Sequence, residues 1–386
     1  MLKTRKLIVD TFSGVYDQLE PYQDDYFWDF GAHDIVPGAT YVISRKEFGL
    51  HNGRIRDLVE SGTIQAVMSN PMEGSETLIG QCELVGIIDL VNAGKILLIG
   101  GGDMDSSWPC LQYDYFLPKL FKHEFGTEQV DHVNQLAVKR SEEVFTKRQK
   151  PYKFLFLNGR MRPHRKYLLE RFGMMELLDQ SLWSRLDQKG GGGSKGALNL
   201  IDNGVNLMYV DRPVQYLPPE YEFERYQQRV GINTTDSFAK YELFNNEWGE
   251  MYINPLAYID TYFSVVTETV FSYPYSFRTE KIWKPVSMGH PFIVASNRGY
   301  YRDLQNLGFR TFGHVVDETF DSIDNDQDRI ERVAQVVNDI CQQDLAEFLD
   351  QCYNTCKYNQ QHYHELRGQI PQEFPKRFFQ FINERS

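Results

Sequence analysis

Gln65-Ala66-Val67-Met68, followed by the stretch Glu76–Asn92 and then by Lys95-Ile96-Leu97-Leu98-Ile99, is the part of the sequence on which the fold turns. The two short runs are apolar and partly β-branched, as buried strands require. Between them Leu78, Ile79, Cys82, Val85 and Ile88 to Leu90 recur at helical spacing, which predicts one largely buried helix over 76–92, and Gly94 suits its C-terminal stop. Strand, helix and strand in this order predict a parallel pair joined by a crossover helix.

Working outward, Lys6–Asp10 and Tyr41–Ser44 read as further strands of the same sheet. The segment Arg140–Lys150 is polar and basic and is expected to be a surface connection. After it the pattern restarts, with strands over Lys153–Leu157, Tyr262–Thr267 and Pro291–Ala295 and a helix from Pro163. From Asp326 onward the chain reads as helical, with Pro371 as punctuation. The expected organisation is α/β. It comprises a Rossmann-like acceptor domain over 1–148, a Rossmann-like donor domain over 149–355, and a helical tail over 356–386 packing back on the first. Such sheets hold ligands at the C-terminal ends of their strands.

The 386 residues suffice for two domains, and 41% hydrophobic content supports packed cores. A net charge of −12 disfavours sequence-independent binding to long DNA, which needs Lys and Arg to displace counterions. The opening Met1–Asp10 has too short an apolar run for a signal peptide, and no segment reaches membrane-span length. Five scattered cysteines (Cys82, Cys110, Cys341, Cys352 and Cys356) predict reduced thiols in a cytoplasmic protein. His362 and His364, two apart on a helix, point to different faces and make no metal pair. Gly190–Ser194 has the composition of an engineered flexible linker and is not read as a phosphate loop.

Two segments carry chemistry. In Lys153 to Arg165 an apolar strand runs into a loop holding Asn158, Arg160, Arg162, His164 and Arg165, with Pro163 placed for a first helical turn. A helix N-terminus with guanidinium groups can hold a diphosphate; a solvated basic turn is the plainer alternative. In the second segment, Val266-Thr267-Glu268-Thr269 ends a strand and Thr279 can cap a helix that opens with Glu280 and Lys281. A carboxylate for ribose hydroxyls beside a lysine for phosphate suits a nucleotide sugar; a surface ion pair is the alternative.

Together these segments, with Ser181-Leu182-Trp183-Ser184, Gly289-His290-Pro291-Phe292-Ile293 and Leu307 to Phe312, resemble a glycosyltransferase superfamily that includes the α1,3-fucosyltransferases and phage and bacterial surface-glycan enzymes. The resemblance spans about 40% of the chain, nearly all in the second half. It implies a GT-B-like fold with the nucleotide held by the second domain. Arg165 and Lys281 would then pair with donor phosphates, Arg162 would be a second phosphate candidate, Glu280 would hold the ribose and Glu268 would line the sugar pocket, with Asn158 and Thr279 in the same donor-binding set. Lys284-Pro285 departs from the fucosyltransferases and matches the phage-like branch, which weakens the transfer of fucose or GDP specificity.

The first half offers Gly100-Gly101-Gly102-Asp103-Met104-Asp105 directly after a strand. The Asp-x-Asp spacing is that of a diphosphate-bound metal in the other large glycosyltransferase fold. With cations already present for the phosphates, an acceptor-side general base is preferred, with Asp103, Asp105 and Glu73 as candidates and His33 or His51 in reserve. A turn whose aspartates satisfy backbone N–H groups is the structural alternative. The reading is therefore an inverting glycosyltransferase taking a nucleotide-sugar co-substrate and a glycan or other hydroxyl acceptor, with no divalent metal required and no metal ligands assigned. The alternatives are glycosylation of hydroxylated bases in phage DNA and a non-catalytic nucleotide-sugar or glycan-binding module.

Overall fold

The computed structural model describes residues 5–121, 128–159, 162–185, 215, 217–221 and 252–385. Gly190–Ser194 and Arg160 lie outside them. The chain forms two compact units, each α/β with a parallel sheet. The first comprises 1–118, 275–277 and 366–386; the second comprises 119–274 and 278–365.

In the first unit the elements run β1 (Leu7–Asp10), α1 (Tyr16–Leu19), β2 (Asp25–Phe27), β3 (Thr40–Ser44), α2 (Arg45–Glu60), β4 (Gln65–Gly74), α3 (Ser75–Leu84), α4 (Ile88–Asn92), β5 (Ile96–Gly101) and β6 (Cys110–Gln112). The strand order is β2-β1-β3-β4-β5-β6 and every pairing is parallel. The chain leaves β1 toward β2 on one side and returns to build β3 on the other, so the topological switch lies between β1 and β3. Asp10 ties that point together: its carboxylate accepts from the N–H groups of Phe12 at 2.8 Å and Ser44 at 2.9 Å.

The single helix expected over 76–92 is two. Gly86 takes a positive φ of 71° between α3 and α4, a conformation that suits glycine and ends a helix. Strands β2 and β6 were not anticipated, because each is three residues long and neither reads as an apolar run. Gly101 and Gly102 serve close packing. A Cβ would come within 2.4 Å of the Pro71 carbonyl at Gly101 and 2.3 Å of the Ser276 carbonyl at Gly102.

After α5 (Phe116–Lys119) the chain continues through α6 (Glu128–Lys139), α7 (Glu143–Thr146), β7 (Tyr152–Asn158), α8 (Pro163–Met174), β8 (Leu182–Arg185), α9 (Pro255–Ile259), β9 (Thr261–Thr267), α10 (Glu280–Ser287), β10 (Phe292–Ala295), α11 (Tyr300–Asn306), α12 (Asp326–Cys341) and α13 (Leu345–Glu384). The second sheet has the order β10-β9-β7-β8, again parallel, with its switch between β7 and β9.

The two units change at 118/119 and 365/366, where the sequence suggested 148/149 and 355/356. The described residues among 119–148 belong to the second unit: the Asn134 side chain donates to the Leu120 carbonyl and accepts from the Ile253 N–H. Arg140–Lys150 is accordingly inside the second unit rather than a connection between the two, although Thr146 to Gln149 are exposed. Val144 and Phe145 are buried, and the Lys150 ammonium donates to the carbonyls of Val144 and Ile259. Nor does Pro371 end the last helix, since α13 runs on through Pro371 and Pro375. Around these prolines the helix is held by aromatic contacts, buried Phe374 against buried Tyr113 and buried Phe379 against the exposed Tyr22. The described cysteines are free thiols. Among the described residues no helix is long and apolar enough to cross a membrane.

Candidate functional site

Glu268 is the centre of the second unit's candidate site. It directly follows β9, at the switch point, and is fully buried. One carboxylate oxygen accepts from the Thr279 N–H at 3.1 Å and the Tyr300 hydroxyl at 3.0 Å. The other accepts from the Thr279 hydroxyl at 2.6 Å and the Thr269 N–H at 3.3 Å. Burial pushes its carboxyl up, opposed by Lys281 and by the Thr279 bonds. Thr279 in turn caps α10, its hydroxyl accepting from the Lys281 N–H. The carboxylate of Glu268 therefore anchors the start of α10 to the end of β9.

The basic loop meets the same residue from the other side. Pro163 opens α8, as its fixed φ favours, and the next two residues turn back to the strand. His164 Nε2 lies 3.0 Å from the Glu268 carbonyl, with its ring stacked on Phe271 at 5.3 Å. Burial, then the charges of Arg165 and Arg162, hold this imidazole well below its ordinary pKa, so it is neutral and Nε2 is the donor. Arg165 is 3% exposed and donates to the carbonyls of Thr267 and Glu268, both at 3.1 Å. Asn158, at the end of β7, accepts from the Thr267 hydroxyl and donates to the Ser184 carbonyl, joining three strand ends.

Lys281 is the more accessible cation. Its side chain is 29% exposed, and its ammonium donates to Glu280 at 2.6 Å and Thr279 at 3.1 Å. Glu280 is buried, which alone would raise its pKa. Lys281 and Lys284 outweigh that and leave it lowered, hence ionised at neutral pH. Arg162, half-buried, is the N-cap residue of α8.

No family model, curated protein or solved structure matches this chain. What stands is a Rossmann-like α/β chain with two parallel sheets and a long C-terminal helix.

The structure brings Asn158, Arg165, Glu268, Thr279, Glu280 and Lys281 to one switch point. His164 and Tyr300 belong to the same cluster and were not singled out as site residues. His164 could have been found from its place after Pro163. Tyr300 could not, because 32 residues separate it from the carboxylate it serves.

The three candidate bases lie in the first unit. Glu73 is half-buried near the end of β4. Asp103 follows β5, half-buried, with its N–H donating to the Ser276 carbonyl at 2.8 Å. Asp105 is exposed, and its carboxylate accepts from the Ser107 N–H, which lowers its pKa. It performs the turn role that aspartates commonly serve.

The second unit also carries an acid-sensitive element. His290 is buried, Nε2 donating to the Thr261 carbonyl at 2.8 Å and Nδ1 accepting from the Ser264 hydroxyl at 2.9 Å. Burial pushes its pKa down to about 3. With the folded pKa below that of the unfolded chain, the unfolded state binds more protons between about pH 6.5 and 3. Stability is thus full above about pH 6.5 and falls on acidification, by up to about 1.4 kcal/mol per pH unit for each such histidine. Urea midpoints should drop steadily from pH 7 to 5, and His290→Gln should flatten the slope. A flat wild-type profile would refute the assignment.

Proposed function

We propose that the chain is a glycosyltransferase that takes a nucleotide-activated sugar and delivers the sugar, with inversion, to a hydroxyl of a glycan or similar acceptor. The observation that carries this reading is the convergence on Glu268 of two helix N-termini, those of α8 and α10, together with Arg165 and Lys281. Helix N-termini and fixed cations make an anion site. A nucleotide diphosphate gains negative charge as the glycosidic bond breaks, and preorganised positive groups stabilise it without a metal at that position. Arg165, buried against two backbone carbonyls, shapes the site, whereas Lys281 and Arg162 are partly exposed and can meet phosphate. Glu280 supplies a carboxylate for ribose hydroxyls beside Lys281.

A thermal-shift panel of UDP-, GDP-, CMP- and dTDP-sugars tests the reading. One nucleotide class should raise the melting temperature, and Lys281→Ala should weaken its binding by about 1.5–3 kcal/mol, the range for charge-assisted bonds. Absence of any shift, or equal affinity in the variant by calorimetry, would exclude a donor site here. Donor binding with no transfer and no slow hydrolysis would identify a binding module instead.

A further inference from the structure

The switch point of the first unit carries a second cluster. Among the described residues Asp29, Glu47 and His51 each offer one ligand atom, and these atoms lie within 4.8 Å of one another. They arrive from both sides of β1: Asp29 two residues beyond β2, Glu47 three residues beyond β3. His51 follows four residues after Glu47, where α2 is kinked (φ −125°, ψ 22°). Its Nε2 lies 3.6 Å from a Glu47 oxygen and 3.8 Å from Asp29 Oδ1. These are too long for hydrogen bonds. They are close to the edge of roughly 3.3 Å spanned by two ligands of a tetrahedral ion with bonds of about 2.0–2.1 Å.

Glu47 is the buried member of the set. Its side chain is 3% exposed, yet the nearby cation, Lys46, stands 3.8 Å away and is itself 69% exposed. The Phe30 N–H donates to Oε2 at 2.9 Å, and the same oxygen is the one turned toward His51. A carboxylate so buried ordinarily has a close cation or a metal. The Asp29 loop is fastened in place: Oδ1 accepts from the Gly31 N–H at 2.8 Å, and Arg54 grips the carbonyls of Phe30, Gly31 and His33. A Cβ at Gly31 would lie 2.7 Å from His51 Cε1, so only glycine admits the ring this close.

We infer that Asp29, Glu47 and His51 bind a divalent transition-metal ion, zinc being the best match to one imidazole and two carboxylates. The two carboxylates neutralise the ion. Asp29 and His51, 52% and 27% exposed, leave a coordination position open to solvent, the arrangement of three protein ligands plus water found in catalytic zinc sites. This goes beyond the donor-site reading and is independent of it.

The test is titration of chelator-stripped full-length protein with cobalt(II), followed by visible absorption, and with zinc, followed by calorimetry. One equivalent should bind, with the absorption of four- or five-coordinate cobalt. Asp29→Asn and His51→Gln should each weaken binding at least about 100-fold, more than loss of an outer-shell partner does, while circular dichroism stays native. Absence of stoichiometric binding by the wild type, or wild-type affinity in both variants, would overturn the site. Neither readout uses a nucleotide sugar, so failure of the donor reading leaves this result standing, and nucleotide-sugar binding should survive the chelator.

Discussion

Replacing Glu268 by alanine should lower the stability of the second unit by about 3–4 kcal/mol, a large share of a domain's total. Four donors lose their acceptor at once: two from Thr279, one each from Thr269 and Tyr300. Each buried donor left unpaired costs about 1–3 kcal/mol, partly recovered where water enters the cavity. The melting temperature should fall by roughly 6–16 °C. Because the start of α10 is released, nucleotide binding should fall with it. Glu268→Gln keeps the volume but turns an amide NH₂ toward donors, so its loss should be intermediate. A variant melting within 2 °C of wild type would show that the carboxylate does not anchor α10.

On the proposed glycosyltransferase reading, the largest effect on rate is expected at the acceptor base. Asp103→Asn should reduce turnover by roughly 10²–10⁴-fold at saturating donor, the usual contribution of general-base catalysis, while donor affinity stays near wild type. Asp103 is preferred over Asp105 because the turn bond from Ser107 lowers the Asp105 pKa and weakens it as a base. Asp105→Asn should therefore retain nearly normal rates, with Glu73→Gln as the third comparison. The acid limb of the wild-type pH profile should vanish in the critical variant. Near-normal rates in all three would remove the base from this set and leave His33, because His51 is assigned above to the metal cluster. Donor affinity falling in step with rate would assign the acidic loop to donor binding.

Much of the α/β architecture was legible because strand burial leaves a local mark. Tyr41–Ser44, Lys95–Ile99 and Tyr262–Thr267 are apolar runs, and each is a strand within a residue or two of the expected limits. Pro163 and Thr279 carry their helix-start chemistry in their own side chains, and both helices begin where those residues place them. Short elements such as β2 and β6 left too little pattern to read, and Gly86 divided a helix that the apolar spacing alone joined.

The sequence by itself determined the residue types at the second unit's switch point: the cations, the capping threonine and the acidic pair. It could not decide which of them meet a ligand. Arg165 and Lys281 are equally basic as letters, yet Arg165 is buried against two carbonyls at the end of β9 while the Lys281 side chain stays 29% exposed. Likewise Asp29 stands 18 positions before Glu47, and nothing in that spacing brings them together. Strand order does so, by setting β2 and β3 on either side of β1. Helix and strand propensity act between neighbours in the chain, whereas burial of a charge and the meeting of ligands are set by sheet order and packing, which join residues far apart in sequence.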